Sequence, residues 1–280
     1  MGAEPATDTE RRSLAHWAEA GRTGMEAFYA LAAEDYRQMV AARDWAADLR
    51  GHARGDEVRV LDVACGSGKF PTELQRRGLA DALTGLTVGI DLLDPSAFSI
   101  AEARSVLEAP FAVRGEHEVR LQDLDPAVGG FDAAWAPHAL YAIPADQLAA
   151  GLGRMVAALR PGGFGAVVHA TSASHYLRFA GLFRASFAPD STPFCSAEEV
   201  IDALRGAGVE PTVAAIAYTV ATGDRATAEG FLQRCVFEDS VPLEVMEADD
   251  AVGGYLAGCR TADGYRFEQH VSVITWPDQQ

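Results

Sequence analysis

The sequence predicts a doubly wound α/β fold: a seven-stranded, mostly parallel sheet with an antiparallel last strand, plus an N-terminal helical cap and helical insertions. Three observations lead there. Strand-like runs near 58–64, 85–91, 117–122, 131–136 and 164–170 alternate with helix-like runs near 69–79, 96–108 and 145–159, as expected of parallel strands joined by crossovers on both faces. A glycine-rich turn at 64–68 joins the first of these strands to the first of these helices. The long connection before a final strand near 264–275 lacks a simple crossover, which suits an antiparallel strand.

Residues 10–50 carry apolar positions at helical spacing: Leu14 and Trp17, then Phe28 and Leu31, then Met39, Trp45 and Leu49, interrupted by Gly21 and Gly24. They form a cap, taken as residues 1–55, over a domain of residues 56–280. Val58-Arg59-Val60-Leu61-Asp62-Val63 is a β-branched run bounded by turn residues and gives the first strand. Beyond residue 170 a helix near 197–207 leads to a strand near 209–221, and helical stretches near 225–238 and 243–257 precede the last strand. Segments near 171–195 and 224–258 read as insertions outside the alternating core.

The chain has 280 residues, 49% of them apolar, enough for one substantial core. No apolar stretch approaches the roughly 18 residues of a membrane span, and the charged N-terminus is unlike a secretory signal, so a cytoplasmic protein without membrane association is expected. Cys65, Cys195, Cys235 and Cys259 are too scattered for a zinc ribbon or redox pair, so reduced thiols and no metal site are expected. The net charge of −17, with Lys69 the only lysine, argues against a nucleic-acid partner, whose binding needs clustered cations. A small-molecule partner and a monomer or homodimer are the expectation.

Asp62-Val63-Ala64-Cys65-Gly66-Ser67-Gly68-Lys69 stands where the first strand turns into a helix. Small residues at 64, 66 and 68 let the backbone turn sharply and a ligand approach, and the helix N-terminus suits a carboxylate. Ala64 is expected to need smallness more than a positive φ. A P-loop is excluded, because Gly68-Lys69 is followed by Phe70 and Val63 stands five before Gly68. A dinucleotide fingerprint is weakened, because Pro71 occupies the third glycine position.

The string Asp62-x-Ala64-x-Gly66-x-Gly68 resembles the first motif of the class I (Rossmann-like) S-adenosylmethionine-dependent methyltransferases, small-molecule type. The resemblance continues in order through Val88-Gly89-Ile90-Asp91, Gln122-Asp123-Leu124, the strand Phe131–Ala136 with Pro137 and His138, and Leu159-Arg160-Pro161-Gly162-Gly163. It implies S-adenosyl-L-methionine as cofactor and S-adenosyl-L-homocysteine as product. Asp62, Ala64, Cys65, Gly66 and Gly68 would hold the amino-acid end. Asp91, with Leu92 beside it, would take the ribose hydroxyls, with Asp94 as a rival; Asp123 and Leu124 would take the adenine. Pro137 lies where the methyl group emerges. Tyr29 and Tyr36, seven apart on one helix face, either close over the cofactor or simply pack.

The resemblance implies methyl transfer to a small molecule, with the insertions near 171–195 and 224–258 forming the acceptor pocket; their aromatics, Tyr176, Phe179, Phe183 and Phe187, suggest an apolar or aromatic metabolite, of bacterial secondary metabolism. The fourth motif lacks Asn-Pro-Pro-Tyr, which removes support for adenine or glutamine-amide acceptors. His138 ranks first as a base or positioning residue, ahead of His169 and His175, since a histidine near neutral pKa assists proton removal. A non-methylating use of the same cofactor, such as cyclisation, stays open, as does, more remotely, a nicotinamide-dependent oxidoreductase.

Overall fold

The computed structural model describes residues 6–277. The cap comprises α1 (Asp8–His16), α2 (Arg22–Ala41) and α3 (Trp45–His52). Thr7 starts α1 with a reciprocal cap: its hydroxyl accepts from Glu10 N at 3.2 Å, and the Glu10 carboxylate accepts from Thr7 N at 2.7 Å. After the cap come β1 (Glu57–Val63), α4 (Lys69–Arg76), α5 (Leu79–Ala82), β2 (Thr87–Leu93), α6 (Ala97–Val106) and β3 (Phe111–His117). Then follow β4 (Phe131–Pro137), α7 (Ala145–Ala158), β5 (Leu159–Ala170), α8 (His175–Phe187), α9 (Ala197–Gly206) and β6 (Thr212–Thr222). Three helices, α10 (Arg225–Cys235), α11 (Leu243–Ala248) and α12 (Asp250–Cys259), precede β7 (Arg260–Thr261) and β8 (Gly264–Pro277).

The sheet runs β3-β2-β1-β4-β5-β8-β6. Strands β3 to β5 are parallel, and β8 lies antiparallel between β5 and β6. The eighth strand, beyond the seven expected, is the two-residue β7, which pairs with the start of β8.

Side chains alternate across the sheet with period 2. Val58, Val60 and Trp135 face a core shared with Trp45, Phe70 and Ile100, whereas Leu61, Val63 and Ala134 face one shared with Leu148, Leu152 and Val200. A third core, absent from the simple layered picture, joins Leu31 of the cap to Phe179, Phe231, Met246 and Phe267. The insertions therefore pack with the cap as a lobe at the sheet edge where the first loop opens.

Two expected boundaries move. The third strand ends at His117, so residues 118–122 of the expected 117–122 are not a strand. Leu121–Asp123 is a single 3₁₀ turn, closed by Arg120 Nε donating to the Asp123 carboxylate at 2.6 Å. The helical stretch near 243–257 is two helices, because Asp249 turns to cap α12, accepting from Ala251 N at 3.0 Å and Val252 N at 2.8 Å.

Gly68 is dictated by packing. Its φ is +69°, and a Cβ there would lie 3.1 Å from both Ala103 Cα and Val106 Cγ2 of α6. Gly68→Ala is expected to cost about 1–3 kcal/mol, from left-handed strain and overpacking, as a lower urea midpoint. An unchanged midpoint would contradict this assignment.

Candidate active site

The chain leaves β1 through three left-handed residues: Ala64 (φ 50°), Gly66 (φ 51°) and Gly68 (φ 69°). Smallness is thus not all that position 64 requires. An alanine held at positive φ costs about 1–2 kcal/mol, which marks this as a strained turn. Cys65 N donates to Leu93 O at 3.0 Å, and Gly66 N donates to Asp94 Oδ2 at 3.1 Å, fixing the turn against the end of β2.

This turn forms one wall of a cavity of about 310 Å³. The other walls are α2 (Tyr29, Asp35, Tyr36), the loop after β4 (His138, Tyr141), and residues of α8 and α10 (Tyr176, Arg234). Trp17, Phe28 and Phe237 close one side as a cluster of rings with centroids 5.8 to 6.5 Å from Trp17's. Buried Arg234 pins the cap over the cavity: it donates to the backbone carbonyls of His16 and, at 2.9 Å, Gly21, and its Cζ lies 5.5 Å from the Trp17 ring centroid.

Of the residues singled out from the sequence, Asp62, Ala64, Cys65, Gly66, Tyr29, Tyr36, Pro137 and His138 line the cavity. Gly68, Asp91, Leu92, Asp123, Leu124, His169 and His175 are not among the lining residues. Asp91 follows a register shift between β2 and β3 and directs Oδ2 to His117 Nε2, 3.0 Å away; the acid at the wall is Asp94. Leu92 packs into the core on the Trp135 face. Asp123 is turned toward Arg120, so Leu121 and Gln122 reach the wall, while Leu124 is buried in the opposite core. His169 donates through Nε2 to Cys195 O at 3.0 Å, beneath the Tyr141 ring. His175 is a core residue, 2.9 Å from Tyr255 Oη and stacked among Phe179 and Phe231.

Asp35, Arg234 and Gln122 were not anticipated. Asp35 did leave a signal, since it falls at helical spacing with Phe28, Leu31 and Met39, an acid on an apolar stripe. Its Oδ2 accepts from Tyr176 Oη at 2.5 Å and its Oδ1 from Tyr218 Oη at 2.8 Å.

Burial dominates the electrostatics. It pushes Asp62 up to about 8 against the hydrogen bond from Trp135 Nε1 (2.8 Å), Asp35 up to about 7 and Asp94 up to about 6. It pushes His138 and His175 down to about 3 and His169 to about 4. His138, at φ 53°, has Nδ1 in contact with Tyr141 Oη, which itself accepts from Ala170 N at 3.2 Å. Among the described residues His138 Nδ1 is the natural acceptor for the Tyr141 proton. A neutral His138 then carries its own proton on Nε2, making it a donor into the site rather than the base expected from the sequence.

Residues 60–163 match the family model described as a methyltransferase domain. Those residues form a methyltransferase domain, in a fold of the class I (Rossmann-like) type. Its fold is shared with a candidate methyltransferase from Bacillus halodurans (14% identity, TM-score 0.58, covering 85% of this chain and 99% of that one). It is shared also with YcgJ from Bacillus subtilis (11%, 0.56, 88% and 99%) and with magnesium protoporphyrin IX methyltransferase from Synechocystis, solved with S-adenosylhomocysteine (14%, 0.53, 95% and 99%). No curated protein matches the sequence. Among the described residues no helix is long and apolar enough to cross a membrane.

The buried acids and histidines give the protein a defined pH response. Asp94, Asp35 and Asp62 have raised folded values, so their contribution favours the folded state at low pH and is lost as pH rises through about 6, 7 and 8. The three histidines have depressed values, so theirs grows with pH and is complete above the unfolded value of about 6.5. Above that point the aspartates act alone. Urea unfolding of the ligand-free protein is expected to show a loss of about 1–3 kcal/mol between pH 6.5 and 8.5, flattened by Asp62→Asn. Stability rising across that window would contradict the buried ionisations.

Proposed function

We propose that the chain transfers a methyl group from S-adenosylmethionine to a small apolar or aromatic metabolite, in bacterial secondary metabolism. One observation carries the reading: a single cavity joins the glycine-rich turn after β1 to an aromatic compartment walled by cap and insertions. The residues present fit the cofactor. Asp62 Oδ2 is buried without a partner, Gly66 presents an open surface where a Cβ would touch only Ala64 O at 4.0 Å, and Asp94 offers a carboxylate at the end of β2. Asp94 would accept from the ribose hydroxyls, and Leu121 and Gln122 would flank the adenine.

S-adenosylmethionine supplies a methyl group already electrophilic at carbon. The protein's part is to orient the acceptor and exclude water, effects that together contribute up to about 7–11 kcal/mol. The rings of Trp17, Phe28 and Phe237 exclude water from one side, and His138 Nε2, buried and unpartnered, would donate to a polar group of the acceptor other than the atom that attacks.

Calorimetric titration with S-adenosylhomocysteine is expected to show binding where NADH and NADPH show none; binding of a nicotinamide cofactor instead would overturn the reading. Asp94→Asn is expected to weaken that affinity about tenfold to a hundredfold, while Asp91→Asn leaves it within about threefold. The reverse order would place the ribose at Asp91. Radiolabel from the methyl group should appear in a small extract component, and turnover without cofactor consumption would favour cyclisation.

A further inference from the structure

Asp35 is a buried carboxylate in a wall of the cavity, held by two neutral donors, Tyr176 Oη and Tyr218 Oη. Among the described residues no Arg, Lys or His pairs with it, and the charged neighbour that acts on it is Glu34, of the same sign. Removing one charge from water without a counter-charge is costly, and hydroxyl donors offset only part of that cost. Tyr36 and Tyr141 carry further rings into this part of the cavity, and the Tyr141 and Tyr176 centroids lie 6.2 Å apart. An anion among π faces is complementary to a cation that also has N–H bonds to donate.

We propose that Asp35, with Tyr176 and Tyr218, is the acceptor subsite and that it takes a protonated amine on an apolar or aromatic body. This rests on the methyltransferase reading above and narrows it to nitrogen. The bound ammonium passes one proton to an Asp35 oxygen, which leaves the nitrogen lone pair free and the acid neutral. Both changes occur without charge entering from solvent. Tyr36 lies between the two ends of the cavity, within the electrostatic reach of both Asp35 and Asp62.

Every element packed around Asp35 contributes a titratable group: Glu34 and Tyr36 from α2, Tyr176 from α8, Tyr218 from β6, Cys235 from α10 and Tyr141 from the loop after β4. Burial raises the tyrosines and Cys235, so they stay neutral near pH 7. His138, at about 3, is neutral as well. Asp35 is then the subsite group that ionises near pH 7, at about 7. An ammonium needs it ionised, so affinity should rise with pH through that value.

The test is calorimetric titration of protein saturated with S-adenosylhomocysteine, using 2-phenylethylamine, its neutral counterpart 2-phenylethanol and the anion 3-phenylpropionate. The amine is expected to bind at least about tenfold more tightly than either counterpart, and about tenfold more tightly at pH 8 than at pH 6. Asp35→Asn should abolish the preference and the pH dependence while retaining S-adenosylhomocysteine affinity. Tyr218→Phe, which removes one donor from the carboxylate, should move the pH midpoint upward with the preference kept. Equal binding of the alcohol, tighter binding of the anion, no amine binding, or an Asp35→Asn protein that still prefers the amine would each overturn the proposal. Loss of S-adenosylhomocysteine binding by the unmodified protein would instead overturn the cofactor reading, so the two failures are distinguishable.

Discussion

The hydrogen bond from Trp135 Nε1 to Asp62 Oδ1 is the contact on which the site's geometry depends. It links neighbouring strands at their C-terminal ends, where β1 and β4 pair Asp62 with Trp135 in register. The indole is wholly buried among Trp45 and Phe70, so the acid it holds cannot swing away. One carboxylate oxygen is thereby used in the core and the other is left facing the cavity. The first loop and the fourth-strand loop start from this pair, and their separation is set by sheet spacing rather than by loop flexibility.

Around that anchor the molecule buries charge where water is excluded. Three aspartates and a buried arginine line the same cavity, each with incomplete or neutral partners. Such groups weaken a fold that has no ligand to satisfy them, and so report where ligands supply the missing contacts. Two buried histidines lie outside the cavity lining. His175 sits among stacked rings and His169 under Tyr141, each with one ring nitrogen in an internal contact.

The layout of the sheet was legible because periodicity and turn residues carry it: Val58, Val60 and Trp135 on one face, Leu61, Val63 and Ala134 on the other. The third strand was misplaced because Val119 and Leu121 are strand-like by type, while a local ion pair between Arg120 and Asp123 closes a turn there. The same turn takes Asp123, the anticipated adenine contact, off the cavity lining and leaves Leu121 and Gln122 on it. Asp91 and Asp94 could not be separated by sequence, since what separates them is tertiary: Asp94 accepts from Gly66 N of the turn, while Asp91 is met by His117 of the neighbouring strand. Asp35 was legible in principle, as a charge on the buried stripe of α2. The meeting of that helix with Tyr176 and Tyr218, 141 and 183 residues away, was not.

The clamp between Arg234 and the cap is made to main-chain oxygens, those of His16 and Gly21, and not to side chains. Its requirement of the cap is chiefly steric: a Cβ at Gly24 would fall 1.9 Å from Arg234 Nη2, and one at Gly21 would fall 2.3 Å from His16 O. Because any residue offers a carbonyl, this fastening places little demand on the chemistry of the side chains around it. The residues that the cap turns toward the cavity and the atoms that fasten it are therefore separate sets, so a change in the shape of the cavity need not loosen its closure.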